Sequence, residues 1–154
     1  MKRLKKILSG LLIALIVIQF IQPVRNKSRE LLSTDITKTI NGPNNVQRIL
    51  KTACYDCHSN NTSYPWYSRI QPFAWLLAKH IRNGKAELNF DDFGSYSQRR
   101  QISKLNGIAN SIKDGTMPLT SYTMIHKNAR LSKEDKTLLI DWATRAKDSL
   151  RVSN

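Results

Sequence analysis

The sequence predicts an all-α protein, a small helical domain behind a single N-terminal transmembrane helix. A long apolar run follows a basic N-terminus. Further along, apolar residues recur three and four positions apart in four separate segments, which is the period of an amphipathic helix. No stretch alternates between apolar and polar residues over the length of a strand. The chain has 154 residues, enough for one such domain with a modest core.

The N-terminal segment has the composition of a membrane anchor. Lys2, Arg3, Lys5 and Lys6 precede an apolar run over residues 7–24. As a helix the run would be about 27 Å long, close to the roughly 30 Å of a bilayer's hydrocarbon core. A cleaved signal peptide remains the alternative, but the run does not end in the small residues typical of a cleavage site. Residues 1–24 are therefore predicted to be a retained anchor.

Charge on either side of the run predicts its orientation. Basic residues are denser before it than after it, where Arg25, Lys27 and Arg29 follow. The positive-inside rule then puts the N-terminus in the cytoplasm. The predicted location is the cytoplasmic membrane, single-pass, with the soluble domain on the periplasmic or extracytoplasmic side. The membrane itself is the first predicted partner.

The soluble part divides into a polar linker over residues 25–43 and a helical domain over residues 44–150. Ser132 is predicted to cap the last helix, with Asp135 three residues on. Asn83-Gly84 is predicted to end the second helix. The four predicted helices cover residues 44 or 45 to 53, 72–82, 97–113 and 132–150.

The most informative motif is Cys54-Tyr55-Asp56-Cys57-His58, which contains both cysteines of the chain. C-x-x-C-H is the attachment signature of c-type haem. On a helical turn, residues three apart share a face, so two thiols can reach the two vinyl groups of one porphyrin. The adjacent His58 then supplies the proximal nitrogen to the iron. The predicted cofactor is haem c.

Three other interpretations of the cysteine pair stay open. A thioredoxin-like redox motif would follow a strand, whereas this pair follows a predicted helix. A zinc site needs four ligands from paired clusters, and only His80 and His126 remain. A structural disulfide fits an exported protein but gives His58 no role.

Met117 is the predicted sixth ligand of the iron, because methionine is the usual second axial ligand in cytochromes c. It lies in a predicted loop between two helices, and Pro118 stiffens that loop. The alternative is a methionine that fills a gap in the core. Met124, His80 and His126 are weaker candidates.

The order of helix, haem motif, helices, Met-Pro loop and C-terminal helix resembles a class I cytochrome c. Over residues 35–150 the sequence more closely resembles the bacterial haem-binding domain family. That resemblance implies one covalent c-type haem in a small helical domain, with Met117 at the family's Met-Pro position. The resembling residues are Cys54 to Asn60 with Thr62, Pro65-Trp66-Tyr67, Ile70, Pro72, Trp75, Gly84, Leu88-Asn89-Phe90 and Phe93, then Met117-Pro118-Leu119, Tyr122, His126, Ala129 to Ser132 and Trp142.

An aromatic block follows the haem motif and is expected to form a wall that excludes water from the haem. Its residues are Tyr64, Pro65, Trp66, Tyr67, Phe73 and Trp75. In so small a domain, the same residues would also belong to the core.

The predicted function is one-electron transfer, without enzymatic activity, by a monohaem cytochrome. The formal net charge is +14, so redox protein partners with acidic surfaces are expected. The basic residues are scattered and carry no nucleic-acid fold signature, so no nucleic-acid partner is predicted. The alternative is a haem-based sensor or a peroxidase-like enzyme, which requires a displaceable sixth ligand.

Overall fold

The structure, a computed structural model, describes residues 2–28 and 32–152. Within those ranges it is helical, apart from an isolated bridge between Lys27 and Asn61, and the all-α prediction is confirmed. The eight α-helices of these ranges are α1 (Lys2–Ile18), α2 (Ile36–Thr39), α3 (Asn44–Ala53), α4 (Tyr55–His58), α5 (Phe73–Glu87), α6 (Gln98–Lys113), α7 (Thr120–Ile125) and α8 (Lys133–Val152). Short 3-10 turns cover Trp66–Arg69, Phe93–Ser95 and Lys127–Ala129.

The core lies between α6, α8 and α3. On α6, Leu105, Ala109 and Ile112 are buried at helical spacing, and they face the buried stripe of α8, which includes Leu139 and Trp142. Helix α3 adds its own buried face of Val46, Ile49, Leu50 and Ala53. Each helix therefore buries one apolar stripe, and this packing fixes the end of α3 where the haem motif begins.

The predicted membrane anchor is wrong. Helix α1 has 17 residues, including the four basic residues at its start, and among residues 2–28 and 32–152 no helix is long and apolar enough to cross a bilayer. Its uncharged part, residues 7–18, would span only about 18 Å of a roughly 30 Å hydrocarbon core. This corrects the anchor over residues 1–24, the membrane as partner, and the single-pass location with an extracytoplasmic domain.

The chain leaves helical geometry after Ile18 and attaches to the haem-motif domain. The side chain of Gln19 accepts a hydrogen bond from the backbone of Gln71 at 2.9 Å, and the indole of Trp75 donates to the carbonyl of Ile21 at 3.0 Å. Farther on, the side-chain Nδ2 of Asn26 donates to the carbonyl of Ser59 at 2.7 Å. These contacts hold the segment against the loop that follows the haem motif.

The four predicted helices are present, with one boundary error. Ser132 caps α8 as predicted: its hydroxyl accepts from the Asp135 amide, and the Asp135 carboxylate accepts from the Ser132 amide, both at 3.0 Å. Helix α5, however, runs through the predicted stop at Asn83-Gly84 to Glu87. Gly84 serves there as a packing site, because its missing side chain lets α5 approach α4.

Candidate functional site

The two cysteines and His58 lie on a single turn at the end of α3. Cys54 leaves helical geometry, with φ −126° and ψ −40°, and separates α3 from α4. The amide of His58 donates back to the carbonyl of Cys54 at 3.0 Å, which closes the turn. Helix α5 packs directly against it, since a Cβ on Gly84 would lie 2.6 Å from the carbonyl oxygen of Cys57. The motif is thus held between α3 and α5.

Both thiols are free and partly buried. Burial raises the pKa of Cys54 to about 12, and the neighbouring Cys57 adds to the effect. Burial likewise raises the pKa of Cys57 to about 11, with a further contribution from Asp56. Redox-active C-x-x-C pairs need a lowered thiol pKa, so these neutral thiols do not fit that interpretation.

A zinc site also fits poorly. Within residues 2–28 and 32–152, no group of three or more histidine, cysteine or carboxylate side chains comes together in a way that could hold a metal ion. Structural zinc needs four such ligands, with the thiols deprotonated. Cys54, Cys57 and His58 share one turn, but they are not accompanied by the second cluster of ligands that zinc requires.

The imidazole of His58 is oriented for metal ligation. Its Nδ1 lies 2.9 Å from the carbonyl oxygen of Leu88, and a carbonyl only accepts, so Nδ1 carries the hydrogen. The lone pair is therefore on Nε2. Burial lowers the pKa of His58, which also favours the neutral, ligating form. A backbone acceptor on the far nitrogen is the usual support of a metal-bound histidine.

Two adjoining clefts open beside this turn, with volumes of about 160 Å³ and 320 Å³. Cys54, His58 and Met117 line both of them. The smaller cleft is otherwise walled mainly by apolar side chains: Leu50, Ala53, Leu88, Phe90, Ile108, Ile112, Pro118 and Leu131. A largely apolar cleft with a few polar groups is the usual form of a cofactor site.

Met117 lies at the cleft in the loop between α6 and α7, as the sequence predicts. It is 37% exposed, so it is not packed into the core as a gap-filler would be. Its amide donates to the carbonyl of Ser111 at 3.2 Å, which ties the loop to the last turns of α6. Met124 is 67% exposed and lines neither cleft.

Gly107 leaves room in the wall that α6 contributes. It lies inside the helix, lines the smaller cleft, and a Cβ built on it would meet nothing within 4 Å. Glycine inside a helix costs roughly 1 kcal/mol relative to alanine, so packing within the protein alone gives no reason for it. A flat ring lying against this wall would use the space.

Tyr122, on α7 just after the Met117 loop, is hydrogen-bonded to the haem motif. The hydroxyl of Tyr122 donates to Oδ2 of Asp56, between the two cysteines, at 2.6 Å. The ring of Tyr122 stacks on His126 with centroids 4.1 Å apart, and Nε2 of His126 is hydrogen-bonded to the Tyr67 hydroxyl at 2.7 Å. Sequence reasoning did not identify Tyr122 as a functional residue.

The aromatic block does not form the expected wall. Trp66 is 79% exposed and Phe73 53% exposed, and none of the six residues lines either cleft. Two of them instead contact the segment over residues 19–28: the Tyr64 hydroxyl accepts from the backbone amide of Asn26, and the Trp75 indole donates to the carbonyl of Ile21. The wall of the smaller cleft is formed instead largely by aliphatic residues, including several on α3 and α6. Their regular spacing in the sequence predicted only that they belong to the core.

Comparison with known families identifies the chain. A family model described as a haem-binding domain matches residues 13–145. The chain belongs to the haem-binding domain family. No curated protein and no solved structure shows significant similarity to it.

Membership of the haem-binding domain family makes haem the cofactor of this protein. The residues present fit that group. His58 lines a mainly apolar cleft with its lone pair on Nε2, Met117 lines the same cleft, and Gly107 leaves open space in the wall. The two free thiols lie at the edge of the space in which the haem would bind.

Proposed function

We propose that this haem-binding domain protein is a monohaem c-type cytochrome that transfers single electrons. Cys54 and Cys57 would hold the haem by thioether bonds, and His58 and Met117 would ligate its iron. The observation that carries the proposal is that His58 donates its Nδ1–H to the Leu88 carbonyl, which leaves the lone pair on Nε2, and that His58 lines the same cleft as Cys54 and Met117.

The neutral thiols suit covalent attachment. Each thiol would add its sulfur and its hydrogen across one vinyl double bond, a reaction that balances without an oxidant. The pKa of both thiols is raised by burial, which disfavours premature oxidation, since the thiolate is the reactive form. Their three-residue spacing puts both on one face of the turn.

The bound haem supplies an iron centre that cycles between ferrous and ferric states. The chain's part is to hold that iron with two ligands, so that no substrate binds to it and its geometry changes little between oxidation states. His58 is fixed by its Leu88 contact, and the Met117 loop is fixed by its backbone contact to Ser111 and, through Tyr122, by Asp56. Axial methionine raises the reduction potential.

The first experiment is an absorption spectrum of the full chain, produced with a c-type cytochrome maturation system. A low-spin spectrum, with haem that survives denaturing electrophoresis, is the expected result. Cys54→Ala and Cys57→Ala each remove one thioether, and the double variant is expected to lose all haem on denaturation. Haem that detaches from the unaltered chain would disprove covalent attachment.

Electron transfer is tested separately from attachment. The reduced protein is mixed with carbon monoxide without denaturant, and it is also cycled with small redox mediators. An unchanged spectrum with carbon monoxide, together with reversible one-electron cycling, is expected for two protein ligands. Rapid carbon monoxide binding would favour the sensor or peroxidase-like alternative, which needs a displaceable ligand.

A further inference from the structure

A lysine side chain lies in the wall of the smaller of the two clefts. Lys104 on α6 lines the smaller cleft together with Cys54 and His58. Among the described residues that line either cleft, it is the only lysine or arginine. Its Nζ lies 2.9 Å from Oε1 of Glu87, which lines both clefts.

The two members of this ion pair are held very differently. The Lys104 side chain is 21% exposed and that of Glu87 is 80% exposed. The lysine is thus confined at the cleft, whereas the carboxylate reaches it from solvent. An exposed pair of this kind contributes little to stability, typically below about 1 kcal/mol. Glu87 can therefore be displaced at small cost.

Lys104 shares a helix face with the cleft wall. Gly107, Ile108 and Ser111 follow it at intervals of three, four and seven residues, and all of them line the same cleft. Residues at these spacings lie above one another on a helix. A planar ligand resting over Gly107 would therefore share its cleft with the Lys104 side chain.

We propose that Lys104 binds a propionate carboxylate of the haem and exchanges Glu87 for it when haem is loaded. Haem carries two carboxylates, and among the described residues that line the two clefts no other lysine or arginine is available to pair with them. A charge-assisted hydrogen bond from an ammonium to a carboxylate is stronger than a neutral one. The inference depends on the proposed haem site, since it assigns one contact within it.

The test is the pH dependence of the reduction potential of the holoprotein, which reports the pKa of the haem propionates. Lys104→Met is expected to raise the pKa of the paired propionate by about one unit, because an adjacent cation holds a carboxyl pKa down. Lys113→Met, on the exposed face of the same helix, is the matched control and should leave the profile unchanged. Lys104→Gln gives the same comparison with a smaller change in side-chain polarity.

A double variant with unchanged net charge distinguishes a direct contact between Lys104 and the propionate from the effect of net charge alone. Lys104→Met combined with Glu87→Gln removes one charge of each sign at the same place. If Lys104 contacts the propionate, the double variant keeps the raised pKa. A return of the double variant to the unaltered profile would show that only net charge matters, and would overturn the proposal.

Two failures are distinguishable. Covalent haem is first verified in the unaltered chain, and its absence there would overturn the cytochrome proposal and this one together. If haem is present in all variants but the profile of Lys104→Met matches that of Lys113→Met, only the propionate contact is disproved.

Discussion

A Cβ placed on Gly84 would lie 2.6 Å from the carbonyl oxygen of Cys57. Real Cβ atoms do not approach backbone oxygen so closely, and the obstacle is main chain of the haem turn rather than a flexible side chain. Gly84 therefore sets the distance between α5 and α4. The same helix ends near Leu88, whose carbonyl orients His58.

Gly84→Ala is expected to destabilise the protein by about 1–3 kcal/mol, the usual cost of overpacking, and to lower the yield of attached haem. Denaturant unfolding and haem absorbance per protein measure the two effects. Gly10→Ala is the matched control, since Gly10 is also a helical glycine, has nothing within 4 Å of its Cβ position and lines neither cleft. It should stabilise the chain by about 0.5–1 kcal/mol, and an equal loss in both variants would contradict the packing argument.

Much of the scaffold is predictable because its helices follow the apolar period. The α3, α6 and α8 stripes are visible in the sequence, and so are Cys54, Cys57 and His58, since the spacing of attachment is local. The extension of α5 through Gly84 is not predictable in this way, because it depends on contact with a segment distant in sequence. The length of α1 was overestimated because hydropathy continues past Ile18, where the backbone leaves helical geometry.

The position of supporting groups also depends on tertiary packing. The Leu88 carbonyl and the Tyr122 hydroxyl reach the motif from elements that lie 30 and 66 residues from their partners. Neither residue type is unusual in its own segment. The aromatic block was assigned to the haem wall from composition alone. Composition does not encode the actual contacts, which join Tyr64 and Trp75 to residues 19–28 and Tyr67 to His126.

Met117→Ala is expected to remove the sixth iron ligand. The weak methionine–iron charge-transfer band of the oxidised protein should disappear, carbon monoxide should bind the reduced protein, and the reduction potential should fall. Met124→Ala is the matched control, because Met124 is exposed and lines neither cleft. A band that persists in the Met117 variant would assign the sixth position to another residue.

Tyr122→Phe is expected to weaken that ligation without touching the iron. The change removes the hydrogen bond to Asp56, and hydrogen bonds to charged groups contribute roughly 1.5–3 kcal/mol. Partial exposure puts the expected loss at the lower end of that range. The methionine–iron band should then be lost at lower temperature than in the unaltered protein. Thr123→Ala, whose hydroxyl contacts only the carbonyl of Thr120 within the same helix, should leave the band unchanged.

The stability of the fold is expected to depend on the protonation of Asp91. This carboxyl is 5% exposed, and its pKa is raised, mainly by burial and further by the nearby carboxylates of Asp35 and Asp92. A raised pKa means that the folded state binds the proton more tightly than the unfolded state does. The Asp91 carboxyl therefore stabilises the folded state below its ordinary pKa of about 3.9. This contribution is lost as the pH rises through the pKa of Asp91 in the folded state.

Asp91→Asn should reduce the dependence of protein stability on pH in this range and make the protein more stable at neutral pH. The amide resembles the neutral acid: its oxygen can accept from the Asn60 amide, as the carboxylate does, and its NH2 group can donate to Asp35. Thermal unfolding of the holoprotein, followed from acid to neutral pH, measures the effect. Asp114→Asn, at an exposed position just after α6, is the control. If the unfolding temperatures of Asp91→Asn and of the unaltered chain changed with pH in parallel, ionisation of Asp91 in the folded state would carry no cost in stability. That result would contradict the prediction, which rests on the burial of Asp91 beside two other carboxylates.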